Sequence, residues 1–208
     1  MNRSVRRNEV LPALSLPSQP CSSSSTSVVS YKQSFGFDAP PYTFNDLEHS
    51  DVIIFIGCNP VVAHPILWGK TKNNKDCIKI AIDPRRTETV TNCDMWIDIK
   101  PKSDLTLLYT LANVLIEKGW IDNNYIEKYT EDFEGFKEHV KKYTLEDVEE
   151  KTGISKVRVL ELAEIIHNGK KVSLWFINGY KIYISCIEFV FIISIRLVLV
   201  SYLTLCFV

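Results

Sequence analysis

Two short runs of β-branched residues, each closed by a polar turn, dominate the hydrophobic pattern of this chain. Asp51-Val-Ile-Ile-Phe-Ile56 enters Gly57-Cys58-Asn59-Pro60, and Ile78-Lys-Ile-Ala-Ile82 enters Asp83-Pro84-Arg85-Arg86-Thr87. Both runs are continuous and too short for a surface helix, the pattern of strands buried in a parallel sheet. A third short strand is predicted over 95–99, ended by Pro101, and a fourth over 172–176. Helical periodicity fills the intervals. Residues 61–70 predict a short helix followed by a polar turn over 72–76. Residues 105–117 set Leu108, Leu111, Ala112 and Leu115 on one face, with Asp104 as N-cap and Gly119 as stop. Residues 122–129 and 133–143 are further helical candidates, the latter rich in Lys and Glu and therefore solvent-facing. Thr144 with Asp147 opens another short helix in a capping-box pattern, and Ser155 caps 156–167, where Val159, Leu162, Ala163 and Ile166 form the buried stripe. Strands alternating with helices imply right-handed crossovers and a doubly wound, mostly parallel α/β sheet.

The pattern fails at both ends. Residues 1–30 carry Arg3, Arg6 and Arg7, then Pro12, Pro17, Pro20 and a serine run, and bury too little apolar surface to offset their ordering entropy. A disordered start is expected there, ahead of an organelle transit peptide, whose composition is similar. The apolar part is too short and too broken by Pro12 for a secretory signal. At the other end, 179–208 becomes an apolar, β-branched tail interrupted by Glu188 and Arg196. A membrane anchor, a buried strand and helix, and a non-native end from truncation or a shifted frame are the three readings. Two central charges oppose the first, and the non-native end is favoured. The body, 31–178, is read as one domain.

Composition narrows the function classes. A net charge of −1 gives no electrostatic case for nucleic acid or an acidic membrane surface. The six cysteines, Cys21, Cys58, Cys77, Cys93, Cys186 and Cys206, include no CxxC pair, which argues against a zinc or iron–sulfur site within the chain. In open α/β sheets ligands bind where strand carboxyl ends meet their loops. Here one loop offers a glycine for close backbone approach, and the other a carboxylate and two guanidinium groups, equipment suited to a nucleotide. Each residue also has a plainer use. Gly57 and Pro60 would end a strand, His64 would sit satisfied in a helix, Asp83 and Asp104 would cap helices, and Arg85 and Arg86 would form a solvated pair.

Four motifs in one order outweigh those plainer uses. Tyr31-Lys-Gln-Ser-Phe-Gly-Phe-Asp-Ala-Pro-Pro41, Ile56-Gly-Cys-Asn-Pro60 with His64-Pro65, Asp83-Pro-Arg-Arg-Thr87 and Ser103-Asp104, extended by Ser173-Leu-Trp175, resemble the catalytic subunits of molybdopterin-dependent oxidoreductases. Within that family they are most similar to bacterial nitrate reductases of the periplasmic and assimilatory type. The resemblance covers roughly 28–177 and implies a Rossmann-like nucleotide-binding domain, present as an internal fragment of a longer catalytic chain.

The resemblance also implies the cofactor and its ligands. The family holds molybdenum in a bis(molybdopterin guanine dinucleotide) centre, and this sheet would grip one nucleotide tail. Gly57, Cys58, Asn59 and Pro60, closing at His64, would approach pyrophosphate and ribose. Asp83, Pro84 and Arg85 would surround the guanosine, with Arg86 on phosphate. Lys102, Ser103 and Asp104 would complete the pocket, Asp104 accepting from the guanine amino and ring N–H groups.

Three departures accompany it. The family's four cysteines for a 4Fe–4S cluster have no counterpart here. The molybdenum-ligating cysteine lies eight residues before the tyrosine matching Tyr31, which falls on Ser23, with Cys21 two residues earlier. After Trp175 the family's Met-Gly-x-Asn-Gln segment is replaced by Phe176-Ile-Asn-Gly179 and the tail. The expected activity of the intact enzyme is reduction of nitrate to nitrite, with electrons from a donor protein, in the cytoplasm or, for the full-length enzyme, the periplasm. Alternatives are a formate dehydrogenase-type subunit and an inactive remnant that binds guanine nucleotides. The chain alone is expected to be inactive.

Overall fold

The structure, a computed structural model, describes residues 44–130, 132–176 and 204–206. The segment 1–30 expected to be disordered, the motif around Tyr31, the candidate ligands Cys21 and Ser23, and the tail apart from 204–206 lie outside the described residues.

Four strands form where the β-branched runs predict them, and a fifth lies in the tail, where a non-native end was favoured. They are β1 (Val52–Ile56), β2 (Ile78–Ile82), β3 (Met95–Ile97) and β4 (Val172–Phe176), followed by β5 (Thr204–Cys206). All pair in parallel in the order β3-β2-β1-β4-β5. Val52 pairs with Ile78 and Val172, and Ile56 with Ile82 and Phe176, so β1 is central and buried throughout. The chain moves outward from β1 through β2 to β3, then returns to lay β4 on the other side. That reversal of direction makes the sheet doubly wound and sets its switch point between β1 and β4.

The helices are α1 (Pro60–Ala63), α2 (Pro65–Asn73), α3 (Glu88–Thr91), α4 (Asp104–Glu117), α5 (Asn123–Tyr129), α6 (Phe133–Val140), α7 (Leu145–Thr152) and α8 (Lys156–Asn168), with a 3-10 turn at Phe44–His49. Alternate residues of β1 feed two cores. Val52, Ile54 and Ile56 join Leu107, Leu111, Leu115, Val159 and Leu162 of α4 and α8 on one face. On the other face, Ile53 and Phe55 join Leu47, Cys58, Cys77 and Trp175, with Trp68 packed alongside. Phe55 meets Trp68 and Trp175 with ring centroids 5.7 Å apart in each pair. Each fully buried aliphatic or aromatic side chain contributes about 1.5–3 kcal/mol relative to exposure. No helix among the described residues is long and apolar enough to cross a membrane.

Several boundaries differ from the sequence reading, each for a local reason. The single helix expected over 61–70 is two helices broken at His64. Pro65 lacks an N–H and disfavours helical backbone in the residue before it. The second of them runs to Asn73, into the expected polar turn. The third strand stops at Ile97. The helix expected to face solvent over 133–143 ends at Val140 and buries Phe136 and Val140. Asp104 is not the N-cap of α4: Ser103 is, and Asp104 is the first helical residue. An acidic residue there still complements the helix dipole.

Candidate functional site

Three loops leave the carboxyl edge of the sheet, after β1, β2 and β3. The first opens at Gly57, whose φ of +58° lies in the left-handed region that suits glycine. Its N–H donates to the Ile82 carbonyl at 2.9 Å, tying the loop to the end of β2. A Cβ placed on Gly57 would meet no atom of the described residues within 4 Å, so among them this backbone is open to an approaching group. Cys58 turns inward and donates from Sγ to the Trp175 carbonyl at 3.5 Å, anchoring the loop to β4. Pro60 starts α1, and its carbonyl accepts from the His64 N–H at 2.9 Å, which sets the half-buried His64 between α1 and α2.

The second loop closes on the first. Asp83 is 6% exposed, and its carboxylate accepts from the Arg85 N–H at 2.8 Å, folding the chain into a tight turn. Burial pushes the Asp83 carboxyl above its ordinary value, while the Arg85 amide and guanidinium pull it back in part. The Asp83 N–H donates to the Ile97 carbonyl at 3.2 Å, and its own carbonyl accepts from Trp96 Nε1 at 2.9 Å. Arg85 and Arg86 extend into solvent. Thr87 caps α3, accepting from the Val90 N–H at 3.4 Å.

From α3, Thr89 and Glu88 reach back to Asn59. The Asn59 Oδ1 accepts from Thr89 Oγ1 at 2.7 Å and from the Thr89 N–H at 3.3 Å, and its Nδ2 donates to Glu88 Oε2 at 2.7 Å. That amide is the main cause holding Glu88 below the usual carboxylate range. The loops bearing Gly57–Pro60 and Asp83–Thr87 are thus one bonded unit. Sequence reasoning missed Thr89 and Glu88. The signal was a cap residue, Thr87, opening a four-residue helix too short for hydrophobic periodicity to reveal.

Lys102, Ser103 and Asp104 lie one strand further along the same edge. Lys102 adopts φ +68°, uncommon without glycine, and Ser103 donates from Oγ to the Lys100 carbonyl at 2.6 Å. Lys100 is held to α7, its N–H on the Thr152 carbonyl at 2.9 Å and its Nζ on the Glu150 carbonyl at 2.7 Å. Exposed Arg85, Arg86, Lys100 and Lys102 give this edge a cationic rim. Away from it, burial pushes the thiols of Cys77 and Cys93 up to about 11 and about 12, so both stay protonated at neutral pH. Among the described residues no cluster of His, Cys, Asp or Glu could hold a metal ion.

A parallel, doubly wound sheet with loops gathered at the carboxyl ends of its strands defines the α/β class that binds ligands along that edge. The family model for molybdopterin oxidoreductases matches residues 15–185, and the chain belongs to the molybdopterin oxidoreductase family. It is 37% identical over 156 residues to a nitrate reductase of Synechocystis, covering 73% of this chain and 22% of that one. It is 34% identical over 157 residues to the F420-dependent formate dehydrogenase subunit alpha of Methanocaldococcus jannaschii, covering 74% and 23%. Among solved structures, acetylene hydratase from Pelobacter acetylenicus matches with a TM-score of 0.63 at 23% identity, over 72% of this chain and 20% of that one. The chain therefore spans about a fifth of the length of these relatives. Membership of the family implies a molybdenum–molybdopterin cofactor. An open glycine backbone, a cationic rim and a carboxylate-set turn fit the phosphate-bearing tail of such a group.

Proposed function

We propose that this carboxyl edge grips the guanine dinucleotide tail of the molybdenum cofactor, within a catalytic chain that reduces nitrate to nitrite. The observation that carries the reading is the union of the first two loops beside an unobstructed Gly57. Gly57, Cys58, Asn59 and Pro60 present backbone to the pyrophosphate and ribose, with His64 closing the loop. Asp83, Pro84 and Arg85 enclose the guanosine, and Arg86 neutralises phosphate. Lys102 and Ser103 complete the rim, and Asp104 accepts from the two adjacent guanine donors, the natural pairing for a carboxylate. When bound, the molybdenum centre supplies oxygen-atom transfer. The chain's own part is to bind and orient the tail.

Nitrate is put before formate because Ser34-Phe-Gly-Phe-Asp-Ala-Pro-Pro41 resembles the nitrate enzymes. The shared motifs at Gly57–Pro60 and Asp83–Thr87, with formate dehydrogenase relatives at similar identity, keep a formate enzyme as the second reading. Calorimetry of the full chain with GDP and ADP tests the site. GDP binds more tightly, and Asp104→Asn lowers guanine affinity by about 1–3 kcal/mol through poorly paired donors. Equal binding of the two nucleotides by the unsubstituted chain would remove Asp104 from the site.

A further inference from the structure

We infer that Thr89 is a positioning residue that locks the two ligand-facing loops into one fixed relation. It belongs to a four-residue helix, yet its side chain is fully buried between the loops. A hydroxyl has one hydrogen to donate and lone pairs to accept with, and Thr89 uses both. It donates to Asn59 Oδ1 at 2.7 Å and accepts from the Val61 N–H at 3.4 Å. The first bond is short and strong, and the second lies at the long end of such bonds.

The second bond still has a clear role. The first amides of a helix lack acceptors within it, and Asn59, the N-cap of α1, makes no side-chain cap of its own. Its amide group is turned across to α3 instead, bonded to Thr89 and Glu88. Thr89 therefore caps α1 from the opposite loop. The Gly57 N–H on the Ile82 carbonyl fixes the base of the same unit, and Thr87 fixes α3. Removing the Thr89 hydroxyl takes one of Asn59's two shortest bonds to α3, leaving those to the Thr89 N–H and Glu88, and strips an α1 amide of its acceptor, so the backbone after β1 is held less firmly relative to the turn at Asp83.

The consequence for ligand affinity rests on the reading of this edge as a nucleotide site, whereas the coupling of the loops does not. Two measurements on the full chain separate them: hydrogen exchange of the amides over 57–63, and calorimetric titration with GDP. Thr89→Val, which matches the side chain in shape, speeds exchange at Val61 roughly tenfold, about the worth of one hydrogen bond. It weakens GDP binding by a similar factor, and Thr89→Ser restores both. Asn59→Ala, at a half-exposed position, removes the bonds to Thr89 and Glu88 while leaving the Val61 bond in place, and if the valine variant does not fold it is expected to speed exchange over 57–63 and to weaken GDP binding. Unchanged exchange over 57–63 in these variants overturns the coupling. Faster exchange with unchanged GDP affinity overturns the positioning role. Failure of the unsubstituted chain to bind GDP overturns the nucleotide reading, while the exchange experiment still decides the coupling.

Discussion

Asp83 and Gly57 concentrate opposite demands at the scale of single residues. The folded chain raises the Asp83 carboxyl above its ordinary value of 3.8, because burial outweighs the help from Arg85. The folded state then holds this proton more tightly than the unfolded state. Stability falls as pH rises from the ordinary value through the raised one, and the deficit stays constant up to neutrality. Asp83→Asn keeps an oxygen for the Arg85 amide and removes the buried charge. Its melting temperature is expected to rise at about pH 7 and to match the parent at about pH 3, below both values. A lower melting temperature at neutral pH would show that the carboxylate is a net stabiliser. Gly57→Ala separates strain from occlusion. With no atom of the described residues within 4 Å of the new methyl, its φ of +58° is the cost they show. Denaturant unfolding is expected to register about 1–2 kcal/mol. GDP titration of the folded protein should then register a further loss, because the methyl stands where the proposed phosphate approaches. Unchanged affinity would mean that no ligand group comes close to Gly57.

Among the elements, α4 shows how much of a helix boundary is local chemistry. Gly119, at φ +65°, follows the C-cap Lys118, donating its N–H to the Ile116 carbonyl at 3.0 Å, while the Trp120 N–H reaches the Leu115 carbonyl at 2.8 Å. That is the Schellman arrangement, in which a glycine in the left-handed region satisfies the last carbonyls. Gly119→Ala meets no atom of the described residues within 4 Å and is expected to cost about 1–2 kcal/mol in a denaturant titration, shifting the midpoint without changing the slope. Similar local rules made Thr144 and Ser155 legible as caps, and they accept from the Asp147 and Arg158 amides at 3.3 Å and 3.4 Å. The opening of α4 was less legible. Ser103 and Asp104 are both good N-cap residues, and only the backbone shows that Asp104 already lies within the helix.

For the whole molecule, the decisive fact is extent. The chain belongs to the molybdopterin oxidoreductases but spans about a fifth of the relatives it matches. In the proposed reading molybdenum is held by two pterin dinucleotides, of which this sheet grips one. The 208-residue chain, supplied with molybdenum cofactor and assayed with a reduced viologen that bypasses any protein donor, is therefore expected to turn over no nitrate. Turnover above the cofactor-only control would mean that one such domain suffices, and would make Cys21 and Ser23 the first residues to test as molybdenum ligands.

The sequence by itself determined four of the five described strands, the sheet type, the main helices and the two loops at the carboxyl edge. Each rests on signals carried by neighbours in the chain: continuous β-branched runs such as Ile53 to Ile56, helical spacing such as Leu108 to Leu115, and caps and stops at fixed offsets. What only the tertiary structure decided depends on residues far apart in sequence. Asn59 and Thr89 are thirty positions apart, and their bond exists only because β1 and β2 pair in parallel and bring both loops to one edge. Burial of Asp83 likewise comes from packing that no local pattern encodes, and it raises the carboxyl of an ordinary turn residue above its usual value.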